Sequence, residues 1–287
     1  MQAELNLVNE SNTDIKFKIS KFPDGQQGFT VLNPSVAIKS SDVVIKSRLN
    51  DFKDLEIIIE ATSCLREIGV KSISLYIPYF LGGRSDRKFE AGGTNYIKTV
   101  IAPIINLQGY TKVTVIDPHS DVIEACIQNF AKQDNIELVK FALNDFKSDK
   151  KIVLVSPDAG ALKKVFNVVE KISPEFIGGF PVIIGNKHRD LKGKITHTSV
   201  PECEKYVNHD YFIIDDICDG GRTFVEIAKV IQNQIDLNNG KGQLYLVITH
   251  GIFSSGLEEL KKYFQKIWTT NSIKNINNEL VKQMDVF

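Results

Sequence analysis

The chain has 287 residues, 43% of them hydrophobic, which is enough for two globular domains with sizeable cores. Lys+Arg and Asp+Glu both number 35, so the net charge is zero and the usual electrostatic reason to expect nucleic acid or an anionic membrane as partner is absent. The four cysteines, Cys64, Cys126, Cys203 and Cys218, lie far apart without a CxxC or Cys/His cluster, which argues against structural zinc and a disulfide framework.

In chain order, short β-branched runs at 43–47, 73–77, 113–116, 152–155, 181–185, 211–214 and 244–249 predict strands. Amphipathic segments at 55–68, 94–107, 121–129, 161–172, 224–235 and 256–264 predict helices. Such alternation predicts an α/β protein with mainly parallel sheets, whose ligands bind at the carboxyl ends of strands. The polar stretch 134–151 is the best boundary and places a split near residue 140. The opening MQAELNLVNE has neither a basic start nor an apolar stretch, and no apolar run approaches the ~20 residues of a membrane span. A soluble, cytoplasmic protein is expected.

Six motifs fall at strand ends or turns. In FPDGQQ, Phe22 can stack on a base and Asp24 can accept from an exocyclic amine; from the residues alone a plain Asp-Gly turn beside a core Phe is the stronger reading. The segment IPYFLGGRSDRKFEAGG carries Arg84, Arg87 and Lys88, which can neutralise a polyphosphate, and Asp86, which can orient an Arg or meet a nucleoside. DPHSD presents His119 as a ligand or as a capped turn residue. In SPDAG, the amides of Ala159 and Gly160 can hold diphosphate and Asp158 a divalent ion, or the segment can be a helix-capping turn. In PVIIGNKHRDLKG, Lys187 and Arg189 flank one residue, so on an extended loop both reach one polyanion; the bland alternative is a basic surface hairpin.

The sixth motif, DDICDGGRT at 215–223, follows an apolar strand and opens a helix. A Gly-rich turn at a helix start is an anion site. Asp215 and Asp216 would repel that anion but suit vicinal hydroxyls, each of which donates to a carboxylate. A diol beside a phosphate describes a ribose phosphate. A merely solvated surface turn is disfavoured, because carboxylates on the end of an apolar strand are costly without partners.

This last motif resembles the phosphoribosyl-diphosphate-binding loop of type I phosphoribosyltransferases and ribose-phosphate diphosphokinases. The other motifs, in order, resemble the diphosphokinase elements F-x-D-G-E, PYYGYARQDRK, D-L-H, SPDxGG and K-x-R. The resemblance implies two tandem type I phosphoribosyltransferase-like domains, 1–140 with the ATP loops and 141–287 with the ribose-phosphate site, with 272–287 returning to the first. It implies ATP contacts from Phe22, Asp24, Arg84, Asp86, Lys88 and His119, with Phe22 and Asp24 serving a neighbouring subunit of a homo-oligomer. It assigns ribose phosphate to Asp215, Asp216, Asp219, Gly220, Gly221, Arg222 and Thr223, and diphosphate to Asp158, Ala159 and Gly160. It assigns Mg²⁺ to His119 and Asp158, and catalysis to Lys187 and Arg189. No catalytic role falls on His250. The implied reaction moves the β,γ-diphosphoryl group of ATP to the 1-hydroxyl of a 5-phosphorylated ribose, releasing AMP. The acceptor is ribose 5-phosphate or ADP-ribose, since DGGRT stands where the family has DTGGT. A phosphoribosyltransferase and a non-catalytic diphosphokinase-associated subunit are the alternatives.

Overall fold

The structure, a computed structural model, describes residues 2–172, 179–189 and 195–287, with backbone alone for 187–189, 195 and 196. The chain divides into two compact units, Met1–Asp134 with Val286–Phe287, and Asn135–Asp285.

The first unit contains β1 (Gln2–Asn6), β2 (Phe17–Lys21), β3 (Gln27–Val31), α1 (Pro34–Lys39), β4 (Asp42–Lys46), α2 (Phe52–Glu67) and β5 (Ile73–Tyr76). A π-helical turn (Ile97–Ile101) then runs into α3 (Ala102–Leu107), followed by β6 (Val113–Ile116), α4 (Val122–Cys126) and β7 (Phe130–Gln133). The main sheet has the order β1-β4-β5-β6-β7, and every pair is parallel. β6, Val-Thr-Val-Ile, is buried at every position, as a covered parallel strand must be. Helix α2 shows how the local sequence sets an element. Asp51 accepts from the N–H groups of Lys53 and Asp54, and Leu55, Ile58, Ala61, Thr62 and Leu65 form one buried stripe. β2 and β3 form a separate antiparallel hairpin, held to α2 by Gln27, whose N–H donates to Glu56 at 3.1 Å.

The second unit contains α5 (Ile136–Asp145), β8 (Ile152–Ser156), α6 (Ala159–Ile172), β9 (Val182–Ile184), β10 (Asn186–Arg189) and β11 (Ile195–Ser199). It continues through β12 (Asp210–Cys218), α7 (Arg222–Leu237), β13 (Leu244–Gly251), α8 (Glu258–Lys261), β14 (Phe264–Thr270) and β15 (Val281–Met284). Its main sheet has the order β15-β14-β13-β12-β8-β9 and is parallel throughout. Alternate residues face opposite layers. Val153, Val155, Tyr211 and Ile213 pack with α7 residues, whereas Leu154, Phe212 and Ile214 pack with α5 and α6 residues. Helices thus cover both faces, the α/β class expected from the alternation. Among the described residues, no helix is long and apolar enough to cross a membrane.

Several boundaries differ from the sequence reading. The stretch 134–151 holds α5, whose Ile136, Leu138, Val139, Ala142 and Leu143 are buried, so the expected split near 140 falls inside a helix and the units part at 134/135. Polar residues at both ends mask a short apolar stripe. The expected 211–214 strand continues to Cys218, carrying both acids inside β12. The helix expected at 94–107 begins as a π-turn, where the Ala102 N–H donates to the Ile97 carbonyl five residues back, just ahead of Pro103. Of 272–287, β15 closes the second sheet and only Val286–Phe287 belong to the first unit, where Phe287 meets Tyr76 edge-on and Arg48 across its ring.

Candidate functional site

In the second unit β9, β8, β12 and β13 are parallel neighbours, so the segments leaving their carboxyl ends share one edge. From β8 the chain steps outward to β9 and later returns as β12 on the other side. The β8–β12 boundary is therefore the switch in strand order, where open α/β sheets bind ligands. SPDAG and DDICDGGRT flank it.

Asp216 is buried, and its Oδ2 receives Lys164 Nζ at 2.5 Å from α6. The Asp216 N–H donates to Asp215 Oδ1 at 3.0 Å. Asp215 is only half-buried by accessible surface. Burial, then the adjacent Asp216 charge, pushes its carboxyl well above the usual range; Asp158 adds to the rise, and the Asp216 N–H and Lys164 oppose it. The three acids from the two motifs thus feel one another. Lys164 was missed by the motif reading. Its signal was a cation on the stripe of α6 that buries Ala161, Val165, Val168 and Ile172.

The loop after β12 forms a cradle of backbone N–H groups. Gly221 adopts φ +78°, a left-handed conformation that favours glycine, and starts α7 without a side-chain cap among the described residues. Among the described residues, none of the N–H groups from Gly220 to Thr223 donates within the protein. Arg222 is exposed and has no partner among the described residues; nearby Glu226 is taken by Lys229 at 2.9 Å. Asp219 accepts from Ser254 Oγ at 2.5 Å.

At SPDAG the helix-capping alternative is the one formed. Asp158 Oδ1 accepts from Gly160 N–H at 3.0 Å and Ala161 N–H at 3.1 Å, so the Gly160 amide expected for diphosphate faces the cap. The turn is pinned on its far side by Gly185, where a Cβ would lie 2.9 Å from the Pro157 carbonyl oxygen. From Gly185 the chain enters β10, placing the backbone of Lys187 and Arg189 in a strand that pairs antiparallel with β11, with a register shift between His188 and Arg189. The side chains of Lys187 and Arg189 lie outside what the structure describes.

In the first unit, Arg84, Asp86 and Lys88 lie on the segment after β5, and His119 after β6, its neighbour in the sheet. Arg84, Lys88 and His119 are exposed and Asp86 half-buried, with its backbone carbonyl held by Asn95 Nδ2 at 2.5 Å. Phe22 and Asp24 sit at the tip of the β2–β3 hairpin, which is a separate two-stranded sheet. Phe22 is 51% exposed, so the core-Phe alternative does not hold, while Asp24 Oδ1 accepts from Gln26 N–H, as an Asp-Gly turn would.

Among the described residues, no group of three or more acidic, His or Cys side chains could hold a metal alone. Mg²⁺ binding needs only one or two protein carboxylates completed by phosphate oxygens and water, so Asp158 fits such an ion brought with a nucleotide.

A two-unit α/β protein with one parallel sheet per unit and a Gly-rich loop at a strand end has the phosphoribosyltransferase-like architecture in tandem. The crystal structure of phosphoribosylpyrophosphate synthetase from Mycobacterium smegmatis has the same fold, with a TM-score of 0.77, 15% identity, and coverage of 96% of this chain and 88% of that one. No protein-family model matches the chain. In sequence it is 27% identical over 290 residues to the ribose-phosphate pyrophosphokinase of Mycoplasmopsis pulmonis, covering 96% of this chain and 84% of that protein. It is 28% identical over 268 residues to that of Pyrococcus abyssi, covering 90% and 85%. The chain is thus similar in sequence to ribose-phosphate pyrophosphokinases, the resemblance that its motifs carry.

Proposed function

We propose that the chain is a ribose-phosphate diphosphokinase, moving the β,γ-diphosphoryl group of ATP to the anomeric hydroxyl of a 5-phosphorylated ribose and releasing AMP. The observation that carries this is the pairing of a partnered diacid, Asp215–Asp216, with the N–H groups of 220–223 that have no partner among the described residues, at the switch of the second sheet. Asp215 and Asp216 accept from the 2- and 3-hydroxyls, and Asp219 to Thr223 hold the 5-phosphate. Lys187 and Arg189 stabilise charge on the transferred group, and catalysis is positioning plus electrostatics without a protein nucleophile. Asp158 in the second unit and His119 in the first would each be a ligand for Mg²⁺, which would neutralise phosphate oxygens when bound. Arg84, Asp86, Lys88 and His119 hold ATP. Phe22 and Asp24 serve a neighbouring subunit of a homo-oligomer, a role that suits an aromatic ring displayed on an exposed hairpin tip. A cytoplasmic setting accompanies this reading.

ADP-ribose is the second acceptor to consider, because Arg222 is exposed and without a partner among the described residues, free to meet a further phosphate. Incubation with ATP, Mg²⁺ and each acceptor, read by mass, tests the proposal. AMP and an acceptor heavier by one diphosphate are expected. No product with any ribose phosphate overturns it, and nucleotide and pyrophosphate formed from a supplied 1-diphospho-ribose and a base would then assign the phosphoribosyltransferase alternative.

A further inference from the structure

We infer that Ser255, on the segment between β13 and α8, is a specificity-determining residue of the 219–223 cradle, its hydroxyl donating to the 5-phosphate of the acceptor. This rests on the ribose-phosphate reading above.

The segment is part of the cradle's wall. The N–H groups of Ile252 and Phe253 donate to the Cys218 carbonyl at 2.9 and 3.1 Å, and Ser254 N–H donates to the Asp219 carbonyl at 3.1 Å. Ser254 Oγ adds its bond to the Asp219 carboxylate. Four bonds therefore clamp 252–254 to 218–219. Phe253 is buried with φ +47°, anchoring the turn that presents the two serines. Their hydroxyls have different tasks. That of Ser254 is committed to Asp219. That of Ser255 has no partner among the described residues, and lies 3.1 Å from where a Cβ on residue 220 would stand.

Two consequences follow. Gly220 is glycine because Ser255 fills the space a side chain would take, since 3.1 Å is tighter than ordinary contact. And a hydroxyl without a protein partner stands beside a run of N–H groups also without one among the described residues, which together form a donor set of the kind a phosphate accepts from. Thr223 is the sole hydroxyl within 219–223 itself, so Ser255 supplies a second from another segment.

The test uses the full-length protein with ATP, Mg²⁺ and ribose 5-phosphate or ADP-ribose, whichever wild type consumes. Ser255→Ala is expected to raise the acceptor KM about tenfold, as loss of a bond to a charged group predicts, and to leave the KM for ATP unchanged. Ser255→Thr keeps the hydroxyl and is expected to restore most of the affinity. Gly220→Ala is expected to impair acceptor binding, and less so in a Ser255→Gly background where its methyl has room. Inorganic phosphate should raise the melting temperature of wild type more than that of Ser255→Ala, a readout independent of turnover. An active wild type with an unchanged Ser255→Ala acceptor KM, or strictly additive Gly220→Ala and Ser255→Gly effects, overturns this inference alone. A wild type inert with every ribose phosphate overturns the parent reading and the inference with it.

Discussion

Lys164 holds Asp216 at 2.5 Å, a cation from the helix of one motif locked onto the acid of another. The Asp216 side chain is 7% exposed and that of Lys164 22%, so neither charge is fully hydrated. The pair fixes the orientation of the Asp216 carboxylate, while Asp215 beside it is raised by burial and by the Asp216 charge.

Lys164→Met removes the partner of a buried carboxylate. Unfolding free energy at neutral pH is expected to fall by about 1.5–3 kcal/mol, the worth of a charge-assisted hydrogen bond. Lys164→Arg should retain most of it. Urea unfolding with an unchanged slope is the measurement. The same variant should weaken acceptor binding more than ATP binding, which a purely structural role would not do.

Asp215 carries a pH signature. Its folded value is raised above 3.8 by burial and by Asp216. The folded protein therefore holds this proton more tightly than the unfolded chain does. The associated stability is fully present below the unfolded value and is lost as pH rises through the folded one. Asp215→Asn should abolish that loss, so the variant melts higher than wild type above the raised value and nearly alike at pH 4. Each kcal/mol corresponds to roughly 2–4 °C for a domain of about this size. The diol needs the ionised acid as acceptor, so acceptor affinity in wild type should climb over the same interval with proton release. Calorimetry in buffers of different ionisation enthalpy reads that release; a flat profile would show that Asp215 is already ionised in the free protein.

Lys187 and Arg189 are expected to act on the step rather than on binding. Charge develops on the transferred group only in the transition state, so removing either cation lowers the single-turnover rate while leaving acceptor affinity nearly intact. Loss of binding with unchanged chemistry in Lys187→Ala or Arg189→Ala would remove them from that role.

The sequence made the second sheet legible where strands are apolar throughout, as in Tyr211 to Ile214, because a parallel strand covered on both faces has no polar alternation to confuse it. It hid α5, since polar residues flank its stripe, and it hid β15, where only Val281 is buried. The diacid and the Gly-rich turn were visible because their chemistry is local. Lys164 and Ser255 were not, because each reaches the site from another segment: Lys164 lies 52 positions from its partner Asp216. Asp158 was legible as a residue but ambiguous in role, and its cap to Gly160 and Ala161 shows why one strand-end carboxylate fits both readings.

Arg222 is the residue at which the choice between the two proposed acceptors is tested. It opens α7, is exposed, and has no partner among the described residues, while Glu226 on the same helix is held by Lys229. Its guanidinium is thus available to an anion lying beyond the cradle's own N–H groups. A second phosphate attached to the first would be such an anion, and a guanidinium can contact two of its oxygens at once. Losing that contact costs about 1.5–3 kcal/mol, or at least tenfold in preference. If ADP-ribose is the acceptor, Arg222→Gly should therefore lower kcat/KM for ADP-ribose by tenfold or more and leave ribose 5-phosphate use unchanged or improved. Were Arg222 instead to order the loop, both acceptors would suffer alike. Direct competition between the two acceptors, read by the mass of the products, separates these outcomes, and a wild type that ignores ADP-ribose leaves ribose 5-phosphate as the acceptor.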